Sequence, residues 1–248
     1  MLSVIVIAKN EEATLARCLS SVQFADEIVV LDSGSDDNTV AIARQYTDKV
    51  FCTDWQGYGI QKQRALEKTT GEWVLNLDAD EWVEPELADV IRRVLADNTH
   101  DGWRVPIRMH FQGKTVPHCS SPSRHIRLFR RKGAHFSNAR VHEKICLPKG
   151  ARIGQLQVPI EHISFRDVSH AIAKMNRYSS STAAIRREKG MHASMLRTIG
   201  GTLWMFFRCY VVQGGFLDGR TGFLFAVLSA QGTFYRGIKQ FYPDMDTL

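Results

Sequence analysis

The sequence predicts an α/β fold whose sheet begins parallel and becomes mixed, and three observations carry that expectation. Strand, helix, strand and helix signals follow one another between Leu2 and Tyr46, the pattern of right-handed parallel crossovers. Three apolar runs, Leu2 to Ala8, Glu27 to Leu31 and Trp73 to Leu77, lead directly into polar turns carrying carboxylates. No helix signal separates Gly102 to Phe111 from the extended stretch after Gly113, so those strands pair as a hairpin.

Taken in order, Leu2 to Ala8 reads as a strand buried on both faces, followed by a turn of Lys9, Asn10, Glu11 and Glu12. From Thr14, Leu15, Cys18, Leu19 and Val22 recur at helical spacing. EIVVL is the second strand, ending at Asp32, and SGSDDN supplies turn and cap residues before a helix through Val40, Ile42, Ala43 and Tyr46. Lys49 to Thr53 is a short third strand. Gly57 to Lys68 is helical, with Ile60, Arg64 and Ala65 on one side, and Gly71 breaks it. The stretch WVLNLDADE, Trp73 to Glu81, then places four large apolar side chains in a strand that ends in Asp78, Asp80 and Glu81.

Pro85 to Asp97 is a helix with Leu87, Val90, Ile91, Val94 and Leu95 as its apolar stripe. Residues 114–166, rich in Arg, His, Pro and Gly, show only short strand-like runs, the composition of a segment that builds a site or a lid. Asp167 to Lys189 is a helix with a basic face. Met195 to Val212 and Thr221 to Tyr235 are dense in Leu, Phe, Trp, Met and Val but punctuated by arginines and glycines.

A chain of 248 residues builds one large domain or a domain with an appendage. Its charge is uneven. Residues 1–100 hold 9 Lys and Arg against 18 Asp and Glu, and residues 101–248 hold 23 against 8, so a balance of −9 faces one of +15. The basic half implies an anionic partner: a phosphorylated ligand, an anionic membrane surface or nucleic acid. The last is disfavoured, because no RRM, KH or helix-turn-helix frame and no regular aromatic array accompanies the charge. Five scattered cysteines without metal-ligand spacing point to a reducing compartment. The N-terminal apolar run is too short for a signal peptide and no stretch reaches spanning length, so the expected place is cytoplasmic.

Parallel strands put their carboxyl ends along one rim, which lets Glu11 and Glu12, Asp32, and Asp78 with Asp80 converge on one ligand. An acidic turn ahead of a helix N-terminus, with Glu84, Pro85 and Glu86 in the first turn, accounts for the last group equally well. Neither GxGxxG nor GxxxxGK[ST] follows an early strand, against a dinucleotide enzyme or a P-loop NTPase.

With SVIVIAKNEE, VVLDSGSDDNT and LNLDADE in this order, the chain resembles the family 2 glycosyltransferases. RVHEKI, IEHISF and GGFLDGRTGF extend the likeness to bacterial lipopolysaccharide inner-core glucosyltransferases that add β-linked glucose to a heptose. The resemblance implies the GT-A fold, a Rossmann-like mixed sheet flanked by helices, as a catalytic domain over residues 1–190. Residues 191–248 follow as an amphipathic, membrane-associating helical segment. It also implies transfer with inversion from a nucleotide sugar, UDP-glucose, to a heptose of the core; another nucleotide sugar with a polysaccharide or polyprenyl-lipid acceptor is the alternative.

By position, Ala8, Asn10, Glu12, Asp32, Asp78 and Arg124 border the nucleotide sugar, and Asp78 and Asp80 form the DxD. The resemblance makes Asp80 and His162 the ligands for Mg2+ or Mn2+, ions that hard oxygen donors and a diphosphate also favour, while a packed or solvated side chain is the plainer reading of a lone histidine such as His162. Glu143 is the candidate base; it and Glu161 are the two carboxylates between Asp101 and Asp167. A salt bridge to Arg140 or Lys144 is its plainer use, and His142 either orients it or has no role. Arg124, Arg127, Arg130 and Arg131 form either a phosphate-binding cluster or a solvated loop face. Glu81 reads as a helix-start carboxylate or a partner of the ligands. In the C-terminal segment, arginines interleaved with aromatics fit helices lying in a membrane interface, with core packing or a dimer contact as the other reading.

Overall fold

The computed structural model describes residues 1–97, 99–118, 124–137 and 144–242. They fall into two compact units, Met1–Ile107 with Ser123–His162, and Arg108–Pro122 with Ile163–Leu248. Residues 163–190 therefore group with the C-terminal helices and not with the sheet.

The first unit begins β1 (Leu2–Ala8), α1 (Leu15–Ser21), β2 (Glu27–Asp32), α2 (Thr39–Ala43), β3 (Val50–Cys52), α3 (Tyr58–Glu67), β4 (Trp73–Asp78), β5 (Glu81–Trp82) and α4 (Pro85–Asp97). The chain crosses into the second unit along β6 (Gly102–Phe111), forms β7 (Lys114–Thr115), and returns for β8 (Arg124–Arg130), β9 (His135–Phe136), β10 (Ile145–Cys146), β11 (Ile153–Gln155) and β12 (Ile160–His162). The main sheet runs β3-β2-β1-β4-β8-β6-β12-β5, with β7 and β11 paired to β6.

Strands β1 to β4 are parallel neighbours, as the alternating signals predict. Period-two alternation then sorts their side chains to opposite faces. Val4, Val6, Leu75 and Leu77 meet Leu15 and Leu19 of α1 and Leu87 and Ile91 of α4. Ile5, Val29, Leu31 and Val74 face the other way, onto Ala65 and Leu66 of α3 and onto Phe129. Between α3 and β4 the chain passes so close to β1 that a Cβ on Gly71 would stand 2.5 Å from Ser3 Oγ and 2.9 Å from Ser3 N.

The sheet turns mixed one strand earlier than the hairpin signal implies. β8 lies antiparallel to both β4 and β6, with Leu75 opposite Leu128 and Trp103 opposite Leu128 on its other edge. The expected short runs of residues 114–166 thus include a seven-residue strand next to the centre of the sheet.

The second unit contains β7, α5 (Val168–Glu188), α6 (Met195–Phe207), a π-helical turn at Arg208–Val212, a 3-10 turn at Gly215–Asp218 and α7 (Gly219–Phe241). Its core is small: Met109, Phe111, Val116, Cys209, Phe225 and Ala226, with Phe165, Met205 and Phe206 against them. Asp218, capping α7, accepts from both the backbone N–H (3.1 Å) and the Nδ1 (2.7 Å) of His118. Much apolar surface stays uncovered along α6 and the turns after it, including Leu196, Leu203, Trp204, Phe207, Val212, Phe216 and Leu217. Among the described residues, no helix is long and apolar enough to cross a membrane.

Candidate active site

The strand register assembles the rim. Ala8 pairs with Asp32 across β1 and β2, and Ile7 pairs with Asp78 across β1 and β4, so three strand ends meet at one level. Past that level the loops after β1 and β2 are laced together. Asn10, in the left-handed region at φ 57°, donates its N–H to Ser35 Oγ (2.9 Å) and accepts the Asp36 N–H at Oδ1 (3.0 Å). Glu12 Oε2 accepts from the Asn38 backbone and side-chain amides, each at 3.1 Å. The buried Asp32 carboxylate accepts from the amides of Gly34 and Ser35, both at 2.9 Å, and from the Ser35 hydroxyl at 2.5 Å. Asn10, Glu12 and Asp32 thus shape the loop with their own side chains, and Ala8 is buried beneath it.

At the end of β4 the charges are arranged in layers. Asp78 is gripped by Lys62 Nζ of α3 at 2.8 Å and by Arg127 Nη2 of β8 at 3.0 Å, both cations being nearly buried. Burial opposes ionisation of Asp78, but these two charges outweigh it and hold its carboxyl well below the usual range. Arg127 also reaches Glu81 Oε1 at 2.5 Å, and Glu81 Oε2 accepts the Asp78 N–H at 2.9 Å. Glu81 is sealed from solvent; burial pushes its carboxyl up to about 7, against the pull of Arg127 and aided by the Asp78 charge. Its contacts join the Asp78 amide to Arg127 within the acidic turn.

Asp80 points elsewhere. Its Oδ2 lies 3.2 Å from Nε2 of His162, with the two side chains 18% and 20% exposed. The contact follows from β5 and β12 pairing antiparallel, which sets His162 opposite Glu81, one residue from Asp80. Burial disfavours the charged imidazole, yet the hydrogen bond and charge of Asp80 raise the His162 pKa above its ordinary value. Two residues 82 positions apart in sequence are thereby brought together at one point.

One carboxylate and one imidazole are the donors that this point offers a divalent cation. Ligands at about 2.1 Å and at right angles stand about 3 Å apart, close to the Asp80–His162 separation. Mg2+ commonly takes only one or two protein carboxylates and fills the rest of its shell with water and substrate phosphate. Asp78 is already engaged by Lys62 and Arg127. Among the described residues no third His, Cys, Asp or Glu completes a cluster.

The arginines do not gather as a cluster. Arg124 donates to Gln155 Oε1 at 2.6 Å, Arg127 is buried under the acidic turn, Arg130 pairs with Glu72 and Asp101, and Arg131 caps the Gly71 carbonyl at 3.0 Å. Arg140, His142 and Glu143 lie outside the described residues. Two contributors lacked a role in the sequence reading. Lys62 is one, and buried Gln61 is the other, its amide donating to Ser33, Thr53 and Asp54 and fixing the loop beside Asp32. A lysine and a glutamine adjacent on a helix packed against a sheet face are the only signal of either.

Residues 3–149 match the family model of glycosyl transferase family 2. The chain belongs to glycosyltransferase family 2. As a member of that family it is 34% identical to the lipopolysaccharide core biosynthesis glycosyltransferase LpsC of Rhizobium meliloti, over 99% of this chain and 96% of that one. An uncharacterized glycosyltransferase of Rickettsia felis is 31% identical over 96% of this chain and 88% of its own. Among solved structures, the mannosyltransferase PcManGT of Pyrobaculum calidifontis, in complex with GDP-Man and Mn2+, superposes with a TM-score of 0.55 at 14% identity, covering 97% of this glycosyltransferase and 87% of that chain. Staphylococcus aureus TarS 1-349 in complex with UDP gives 0.51 at 14% identity, covering 95% and 91%. The fold is GT-A, with the expected mixed sheet and C-terminal helices.

Proposed function

We propose that this glycosyltransferase moves a hexose, glucose from UDP-glucose, onto a heptose of the lipopolysaccharide inner core, with inversion at the transferred carbon. The observation that carries the proposal is the near full-length similarity to a lipopolysaccharide core enzyme, joined to the Asp80–His162 pair at the rim.

In this reading the loops of Ala8, Asn10, Glu12 and Asp32 enclose the nucleotide, and the anionic Asp78 meets its ribose. Arg124 borders the diphosphate. Asp80 and His162 hold Mg2+ or Mn2+, whose charge, when bound, offsets that growing on the departing nucleotide diphosphate. Lys62 and Arg127 keep Asp78 ionised and fixed while the donor binds. Glu143 takes the acceptor hydroxyl's proton as that oxygen attacks the face of the sugar opposite the diphosphate, the geometry that inverts the configuration.

The uncovered α6 surface supports a peripheral seat on the inner face of the bacterial cytoplasmic membrane, where a lipid-linked acceptor is presented. Leu196, Ile199, Leu203 and Phe207 recur at helical spacing on one exposed stripe, with Arg197, Arg208 and Arg220 nearby in sequence for anionic headgroups.

Mass analysis of lipopolysaccharide from a strain lacking the protein tests the assignment, together with incubation of the purified chain with a panel of UDP-sugars and Mn2+. A core short of one hexose, restored by the wild-type gene, is the expected result. An unchanged core, or no stabilisation of the protein by any nucleotide sugar, overturns it.

A further inference from the structure

The helical unit has a second polar site. On α5, Ser179, Thr182 and Arg186 recur at helical spacing, and on α7, Ser229, Thr233 and Arg236 do the same, so each helix shows two hydroxyls and a guanidinium on one face. The two faces meet at a cleft of about 210 Å3 lined by Ser179, Thr182, Ser229, Thr233 and Arg236. Arg236 Nε is buried and has no hydrogen-bond partner among the described residues. Burial and the nearby charge of Arg186 both disfavour the Arg236 cation.

Among the described residues, no carboxylate is paired with the guanidinium charge here. Neither Arg186 nor Arg236 pairs with an acid among the described residues, α7 carries no Asp or Glu, and α5 has only Glu188 at its last position. Lys239 adds a third cation beside the cleft. Among the described residues its ammonium is met by neutral oxygens: Asn176 Oδ1 at 2.6 Å, Ser180 Oγ at 2.8 Å, Ser179 Oγ at 2.9 Å and Asn176 O at 3.0 Å. A buried donor without an acceptor is costly, and like charges held together are costlier still, so such a seam is stabilised by an anion.

We propose that the α5–α7 cleft binds a phosphate group, gripped by the guanidinium of Arg236 and the hydroxyls of Ser229 and Thr182. Guanidinium forks match phosphate oxygens, and serine and threonine hydroxyls complete the donor set. Inorganic phosphate, a soluble phosphate ester and the headgroup of an anionic lipid all carry that group.

Two arms on the full chain test the site and separate its sources. Calorimetric titration with inorganic phosphate compares wild type with Arg236→Gln, Arg236→Lys and the double variant Thr182→Val with Ser229→Ala, each checked for an unchanged far-ultraviolet spectrum. Flotation compares the same proteins on phosphatidylcholine vesicles with and without phosphatidic acid. The expected result is at least about tenfold weaker phosphate binding for Arg236→Gln and the hydroxyl variant, with Arg236→Lys between. Loss in both arms assigns the site to a lipid headgroup, and loss in the phosphate arm alone assigns it to a soluble phosphate ester. Absent phosphate binding by wild type, or binding that both Arg236→Gln and the hydroxyl variant leave unchanged, overturns the proposal; the comparison among variants isolates this cleft from any phosphate held at the sheet rim. If Arg236→Gln does not fold, the hydroxyl variant decides alone.

Discussion

Asp80 and His162 face one another across 3.2 Å, while Asp78, two residues earlier, is held by Lys62 and Arg127. The two aspartates therefore have different partners, and under the proposed function their variants separate. Asp80→Asn lowers turnover by about two to three orders of magnitude and raises the Mn2+ concentration needed for half-maximal rate. His162→Ala shifts the metal requirement in the same direction. Steady-state kinetics across a Mn2+ series make the measurement, and an unchanged metal dependence in both variants removes the pair from the metal site.

Glu143→Gln gives a different pattern. Removing a general base costs about 100- to 10,000-fold in rate and leaves donor binding intact. Single-turnover kinetics beside calorimetric titration with the nucleotide sugar would show it. Weakened donor binding with residual turnover would place Glu143 on the donor instead.

Arg127→Met acts first on stability. It strands Asp78 and Glu81 without their shared cation in a place where Glu81 has no solvent, and breaking a buried pair in this way costs about 3–5 kcal/mol. Urea unfolding would show an earlier midpoint with an unchanged slope. A loss below about 1 kcal/mol would mean that the turn relaxes to admit water.

Acid stability has a separate source in Glu27. Burial works against its ionisation, but Lys49, the Ser3 hydroxyl and the Thr70 amide and hydroxyl overcome it and bring the carboxyl from 4.5 to about 2. A pKa depressed by folding stabilises the native state above the unfolded value, so this contribution is complete above about pH 4.5 and fades as pH falls toward 2. It is on the order of 3 kcal/mol. Thermal unfolding from pH 2 to 7 tests it: Glu27→Gln lies well below wild type at neutral pH, and the two curves converge in acid.

For the exposed stripe, Leu203→Glu with Trp204→Glu removes two side chains that are 67% and 57% exposed and so cost the fold little. Their charges oppose insertion, and flotation on anionic vesicles falls by about tenfold or more. Equal flotation would point to core packing against a second copy as the purpose of the stripe.

The sheet was readable from sequence where its strands are apolar on both faces, as in β1, β2 and β4, because uninterrupted Val, Ile and Leu leave little other choice. The convergence of Asp32 and Asp78 followed from the rule that parallel strands end along one rim. β8 escaped because Arg124, Arg127 and Arg130 break its apolar pattern, and only the buried acids opposite show why Arg127 belongs inside. Lys62 escaped for the same reason: a buried cation is legible only beside its anion. His162 was placed by family resemblance, and the β5–β12 pairing gives that placement its physical cause.

The insertion of β8 beside β4 also orders the events of folding. Residues 1–97 contain the four parallel strands, the three carboxylates of the acidic turn and Lys62, but the guanidinium that Asp78 and Glu81 share is carried 46 residues beyond Glu81. A chain growing from its N-terminus thus reaches a half-sheet with an exposed β4 edge and a charged, unsettled turn, and it closes cooperatively only when the antiparallel strand arrives. The rim of strand ends and the last central strand are consequently one folding unit, and a fragment ending at α4 would keep Lys62 but lack the cation that Asp78 and Glu81 share.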